Sequence, residues 1–121
     1  MIVPSAALSV LVLVLPVAQA KSTLACYEAP GGREMTCIDA AAVTINGNVR
    51  AAPMYSGGPK GVTKASSIML VDCDRQVMTL QDRRGVNFAG GDVASSRVSR
   101  ALGAWICAAP TPKRDPKLRQ F

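Results

Sequence analysis

Three features of this 121-residue chain predict an α+β fold, a small antiparallel β-sheet meander packed against one C-terminal α-helix and fastened by two disulfides. Short runs rich in Val, Ile and Thr are separated by Gly, Pro, Asn and Asp clusters, the pattern of strands joined by turns. One apolar stripe of period 3.6 follows them near the C-terminus. Four cysteines, an even count, lie beyond an apolar leader.

The length suits one domain, and 49% hydrophobic composition is enough to fold. Aromatic residues make up only 4%, so the core must rest on Val, Ile, Leu, Met and Ala. There is no His, which removes Ser-His and Cys-His nucleophile pairs and His-ligated zinc. Phosphate-cradling GxxxxGK[ST] loops and GxGxxG turns are also missing. No catalytic residue, cofactor or metal is expected.

Residues 1–20 read as a cleaved signal peptide. The apolar run Ala6 to Leu15 is too short for a hydrocarbon core of roughly 30 Å but suits an h-region. Pro16 then breaks the helix, and Ala18-Gln19-Ala20 fits an A-x-A cleavage pattern. No Lys or Arg precedes the run, since the first charged side chain is Lys21. Lipidation at Cys26 is disfavoured because Thr23 stands where an apolar residue is wanted. The mature chain is read as 21–121, exported to the periplasm, the cell surface or beyond, with no transmembrane span after cleavage.

Cys26, Cys37, Cys73 and Cys107 all fall in that mature part, and in a small exported chain they read as disulfides. Their spacing is too wide for CxxC-type zinc ligation. Leu24–Tyr27 and Glu34–Ile38 flank the turn residues Ala29-Pro30-Gly31-Gly32-Arg33, and Cys26 and Cys37 are symmetric about Gly31-Gly32. Pro30 cannot donate to a ladder, so it belongs inside a four-residue turn. That count makes Cys26 and Cys37 a non-hydrogen-bonded pair, the closer kind. Cys26–Cys37 leaves Cys73–Cys107, and the two loops are worth about 3 and about 4 kcal/mol.

Further strands are expected in order. Ala41 to Ile45 and Asn48 to Ala51 flank Asn46-Gly47, a strong hairpin signal. Ser56 to Gly61 reads as a flexible loop. Ser67–Val71, Val77–Leu80 and Val86–Phe88 follow, separated by turns at Asp72–Gln76 and Gln81–Gly85, and Ala89-Gly90-Gly91-Asp92 ends the last. The sheet should have about five or six strands. Val98, Ala101, Leu102, Trp105 and Ile106 then form one helical face, capped by Ser95 or Ser96, with Trp105 the largest core contributor and Ser99 and Gly103 facing away. Three prolines and alternating charge make 110–121 a disordered basic tail, outside a domain of 21–109.

The order of Asp39 and Ala40 to Asn48, Val71-Asp72-Cys73, the Leu80-to-Gly85 turn and a terminal helix closing with Cys107 resembles the surface-adhesin protein E family over roughly 35–107. The resemblance implies a small exported bacterial protein with an antiparallel sheet against a helix and a Cys73–Cys107 bridge. It also implies a non-enzymatic function, adhesion to a matrix or anionic surface partner. The alternative is a periplasmic inhibitor or accessory subunit of an envelope complex, docking through the basic tail.

Chemistry-bearing side chains are few. Asp72 and Asp74 share a face if the strand runs on through both, about 6 to 7 Å apart, but a solvated turn accounts for them more simply. The Ser56–Lys64 segment has the glycines and lysines of an anion-binding loop but no helix start behind it. The net charge of +6 falls wholly on the mature part. Arg83, Arg84, Arg97, Arg100, Lys113, Arg114, Lys117 and Arg119 are the candidate contacts to an anionic partner. Nucleic acid is not expected, because no aromatic-basic stacking platform accompanies them.

Overall fold

The computed structural model describes residues 23–58 and 61–121; the leader 1–20 and the Pro59-Lys60 pair lie outside the described residues. The strands are β1 (Leu24–Glu28), β2 (Met35–Asp39), β3 (Thr44–Asn46), β4 (Val49–Gly58), β5 (Gly61–Asp72), β6 (Val77–Gln81), β7 (Asn87–Asp92) and β8 (Lys113–Arg114). The helix α1 (Arg97–Ala108) lies between β7 and β8. All eight strands join one sheet, of order β1-β2-β4-β5-β6-β7, with β3 and β8 off that path. Every pairing is antiparallel except the short parallel ladder of β3 with β8.

The first hairpin follows the expected register. Cys26 pairs with Cys37, and the Ala29 N–H bonds Glu34 O at 2.9 Å, which closes a four-residue turn over Pro30 to Arg33. The cysteines therefore take a non-hydrogen-bonded position, with Cα atoms 4.0 Å apart. Both expected bridges are present, Cys26–Cys37 and Cys73–Cys107.

Several strand boundaries differ from the sequence reading. Ala41 and Ala42, expected in a strand, lie instead in a 3-10 turn, Ala40–Ala42, started by the Asp39 side chain accepting from the Ala41 N–H, so that β3 begins at Thr44. Asn46 pairs with Val49, so the two loop residues are Gly47 and Asn48 rather than Asn46 and Gly47. Gly47 takes φ 62°, which a type II′ turn needs at its first central position. The expected loop at 56–61 is instead the end of a long hairpin: Gly57 pairs with Val62 and Gly58 with Gly61, past bulges near Tyr55. At β7, Ala89-Gly90-Gly91-Asp92 continues the strand, because each residue finds a partner on β6. The outcome is eight strands rather than five or six. Pro53 sits where β2 has stopped pairing with β4 and β3 has not yet begun, so its missing N–H breaks no bond on that edge.

The helix and one sheet face form the main core: Ile38, Val43, Ala52, Met69 and Val71 against Val93, Leu102, Ile106 and Ala109. Ser96 caps α1 through a reciprocal pair, accepting from the Ser99 N–H at 3.1 Å while the Ser99 hydroxyl accepts from the Ser96 N–H. The buried helix residues are Ser99, Leu102, Gly103 and Ile106, so Ser99 and Gly103 face inward, contrary to the apolar-stripe reading. The Ser99 hydroxyl can be buried because it also donates to Val93 O at 2.6 Å. Gly103 is where Val93 lies against the helix. Trp105 packs at the core margin, and Leu102 and Ile106 take the centre instead.

Residues 110–121 are an ordered strap, which corrects the expectation of a disordered tail and its exclusion from the domain. The Lys113 N–H bonds Val43 O at 3.0 Å and the Asp115 N–H bonds Ile45 O at 2.9 Å, along the free edge of β3. Beyond them Asn46 Nδ2 donates to Leu118 O at 2.8 Å, and Gln120 Nε2 to Asn46 O at 2.7 Å. The Arg75 guanidinium donates to the Phe121 backbone oxygen. Leu118 packs on Val49, Ala51 and Leu70, on the face away from α1. Prolines forbid a helix here but not an extended segment, and the β3 edge supplies its partners.

Two outcomes follow. The amide protons of Lys113 and Asp115 are expected to exchange slowly by NMR, and Leu118→Ala to speed both while costing about 1 to 2 kcal/mol in a denaturant melt. A Cβ on Gly103 would lie 2.7 Å from Val93 Cγ1. Gly103→Ala should therefore destabilise by about 1 to 3 kcal/mol despite its gain in helix propensity, a sign that a thermal melt reads directly.

Candidate functional site

Strand alternation divides the sheet. Residues 50, 52 and 54 of β4 and 69 and 71 of β5 point to α1, while Val49, Ala51, Ile68 and Leu70 point to the other, open face. Among the described residues, Leu118 of the strap packs on part of that face. Two adjoining grooves remain on it, of about 230 and about 250 Å³, sharing Pro53 and Ile68. The first runs from Ile68 and Leu70 to Leu118 and Asp115 of the strap. The second runs from Ile68 and Ala65 to Arg83. Ile68 is 36% exposed, more than an apolar residue in mid-strand usually is. The groove residues were missed as a site in sequence, although one signal existed. Ile68 to Val71 is apolar at four consecutive positions, which marks a strand with both faces buried, and a single helix buries only one.

The structure sorts the eight candidate basic residues into three groups. Arg83 and Arg84 lie in the β6–β7 turn, where Arg83 Nη2 reaches Ala65 O at 3.3 Å and Arg84 pairs with Asp82 at 3.7 Å. Lys113, Arg114, Lys117 and Arg119 are exposed on the strap. The first group lies at the Arg83 end of the open-face grooves and the second belongs to the strap that borders the other end. Arg97 and Arg100 are on the first turn of α1 and belong to the helix side; Arg100 Nη2 reaches Ala94 O at 3.4 Å.

Asp72 and Asp74 do not form a facing pair. β5 ends at Asp72, whose Oδ1 accepts from the Asp74 N–H at 3.0 Å and the Arg75 N–H at 2.9 Å. Its Oδ2 takes Arg75 Nε at 3.1 Å, so both oxygens serve the turn into β6. The Arg75 backbone N–H, and then its guanidinium, hold the Asp72 carboxyl below the usual carboxylate range against the opposing effect of burial. Asp74 is exposed. A cation that sequence reading passed over is Arg50, whose Nη1 donates to Ala109 O at 2.9 Å and Ile106 O at 3.3 Å and so caps the helix end. Its place inside a strand pattern gave no hint of that role.

Among the described residues no helix is long and apolar enough to cross a membrane, and no group of three or more Cys, Asp or Glu is placed to hold a metal ion.

A carboxyl whose pKa is lowered by folding contributes stability above its ordinary value of about 3.9, and loses it as pH falls through the lower folded value. Asp72→Asn is therefore expected to lower the melting temperature at pH 7. Its gap to the parent should close progressively below about pH 4, which paired thermal melts at pH 7 and pH 2 check.

No family model, no curated protein and no solved structure matches the chain.

Proposed function

We propose that the chain is an exported, non-enzymatic bacterial envelope protein of the surface-adhesin protein E type, binding an anionic surface or matrix partner through the open face of its sheet. The observation that carries this reading is the grooved apolar strip centred on Ile68, with Arg83 at one end and the basic strap at the other. The strap lines its end of the strip with Asp115 and Leu118 and carries the exposed Lys113, Arg114, Lys117 and Arg119 beside them. With Arg83 at the far end, these cations would steer a polyanionic polymer or an acidic protein surface to the face, and the strip would add contact. Export is supported by the leader reading and by two disulfides, which persist in oxidising compartments. The alternative, a periplasmic inhibitor or accessory subunit of an envelope complex docking through the basic tail, would use the same strap, whose Lys113, Arg114, Lys117 and Arg119 are exposed.

Heparin serves as a probe of sulfated-polymer chemistry. The oxidised protein is expected to be retained on a heparin column at about 0.15 M salt and to elute earlier when Arg83 and Lys113 are both changed to Glu. The double change of Arg97 and Arg100 to Glu, on the helix side, should shift elution far less. Equal shifts from the two sets would mean that bulk charge alone acts and would remove the open-face assignment.

A further inference from the structure

The helix face holds a second groove that the proposed function does not use. A cavity of about 280 Å³ lies between the N-terminal half of α1 and the sheet, floored by Met54, Met69, Met78 and Leu80 and walled by Val98 and Leu102. It adjoins a cavity of about 310 Å³ with Tyr27, Pro30, Glu34 and Arg97 at its rim. Thr36, Ser96 and Val98 line both, so the two form one groove, apolar at the inner end and polar at the outer.

The inner end has a composition of its own. It gathers three of the chain's five methionines. Met54, Met69 and Met78 come from the three adjacent strands β4, β5 and β6 and lie on a diagonal: Met69 pairs with Ala52 and Leu80, while Met54 pairs with Ser67 and Met78 with Val71. Methionine adapts its shape to apolar ligands better than branched residues do. Met54 and Met78 stay half-buried although both face the helix layer. The next strand, β7, is exposed along all six residues, so nothing from the described chain closes that side.

The outer end supplies a cation that no carboxylate pairs at salt-bridge distance among the described residues. Arg97 lines the rim, with Arg100 one turn further on and exposed; Glu34 is the one carboxylate on that rim. Neither arginine forms an ion pair within 4.0 Å among the described residues, where the ion pairs are Arg75–Asp72 and Arg84–Asp82.

We propose that this groove binds a single-chain amphiphile with an anionic head, the alkyl chain lying on the half-buried Met54, Met78 and Leu80, with the buried Met69 packed beneath them, and the head at Arg97. The shared chemistry is an alkyl chain ending in a carboxylate or phosphate, as in a fatty acid or a lysophospholipid. The site lies on the opposite side of the sheet from the proposed adhesive face and stands without it.

The test is calorimetric titration of the oxidised full chain with sodium dodecanoate, lauroyl lysophosphatidylglycerol and dodecyltrimethylammonium, each below its micellar concentration. Saturable one-to-one binding of at least one anionic probe is expected, with the cationic probe at least about tenfold weaker, the discrimination of one charge pair. Comparing the two anionic probes tells a free acid from a lysolipid as the preferred source. Met78→Trp fills the inner end and should abolish binding, and Val98→Trp, from the helix side, replaces it if that variant fails to fold. Arg97→Glu should reverse the head preference. No saturable binding by either anionic probe, equal binding of cation and anion, or binding indifferent to both Trp substitutions would overturn the proposal.

Discussion

The sheet has two faces and the described residues supply one α-helix, and that shortage shapes the rest of the molecule. Six strands side by side span about 24 Å at the usual strand spacing. A helix about 10 Å across and, at twelve residues, about 18 Å long cannot cover one face of such a sheet, let alone both. α1 therefore buries Ile38, Val43, Met69 and Val71 and leaves the Met54–Leu80 area uncovered beyond it. Among the described residues no α-helix covers the reverse face, where Leu118 of the strap packs on Val49, Ala51 and Leu70. Both grooves are consequences of the same geometry.

The helix is held unevenly. Its C-terminal end carries the Cys73–Cys107 bridge and the Arg50 cap on Ile106 and Ala109, and Gly103 at its middle seats closely on Val93. Its N-terminal end has the Ser96–Ser99 capping pair and a partly open space beneath it. The strap begins at the well-held end and runs from there along the β3 edge. The Arg75 guanidinium then joins its last residue to the turn that Asp72 organises.

Much of this was legible in the sequence where local chemistry decides. The symmetric placement of Cys26 and Cys37 about Gly31-Gly32 implied the register, because a turn length determines which residues face each other. The helix was legible from Leu102 and Ile106. What escaped was decided by tertiary partners. Gly103 and Ser99 look like surface residues until Val93 is placed beside them. The strap has the composition of a disordered segment, and only the free edge of β3 and one leucine order it. The Asn46-Gly47 turn slid by one residue because Asn46 pairs with Val49 and also holds the strap. Of the eight candidate basic residues, six fall at the two borders of the open face or on its strap, while Arg97 and Arg100 belong to the helix side. The grooves themselves were not legible, since they depend on how little a single helix covers.

The central claim is that the open face, bordered by Arg83 and the strap, is the contact surface. Amide chemical-shift mapping of the oxidised protein titrated with a defined heparin oligosaccharide tests it most directly. The account predicts shifts confined to Ile68 and Leu70, the turn at Arg83 and Arg84, and the strap from Lys113 to Arg119, with α1 unmoved. Shifts centred on α1, or none at concentrations that saturate binding, would contradict it.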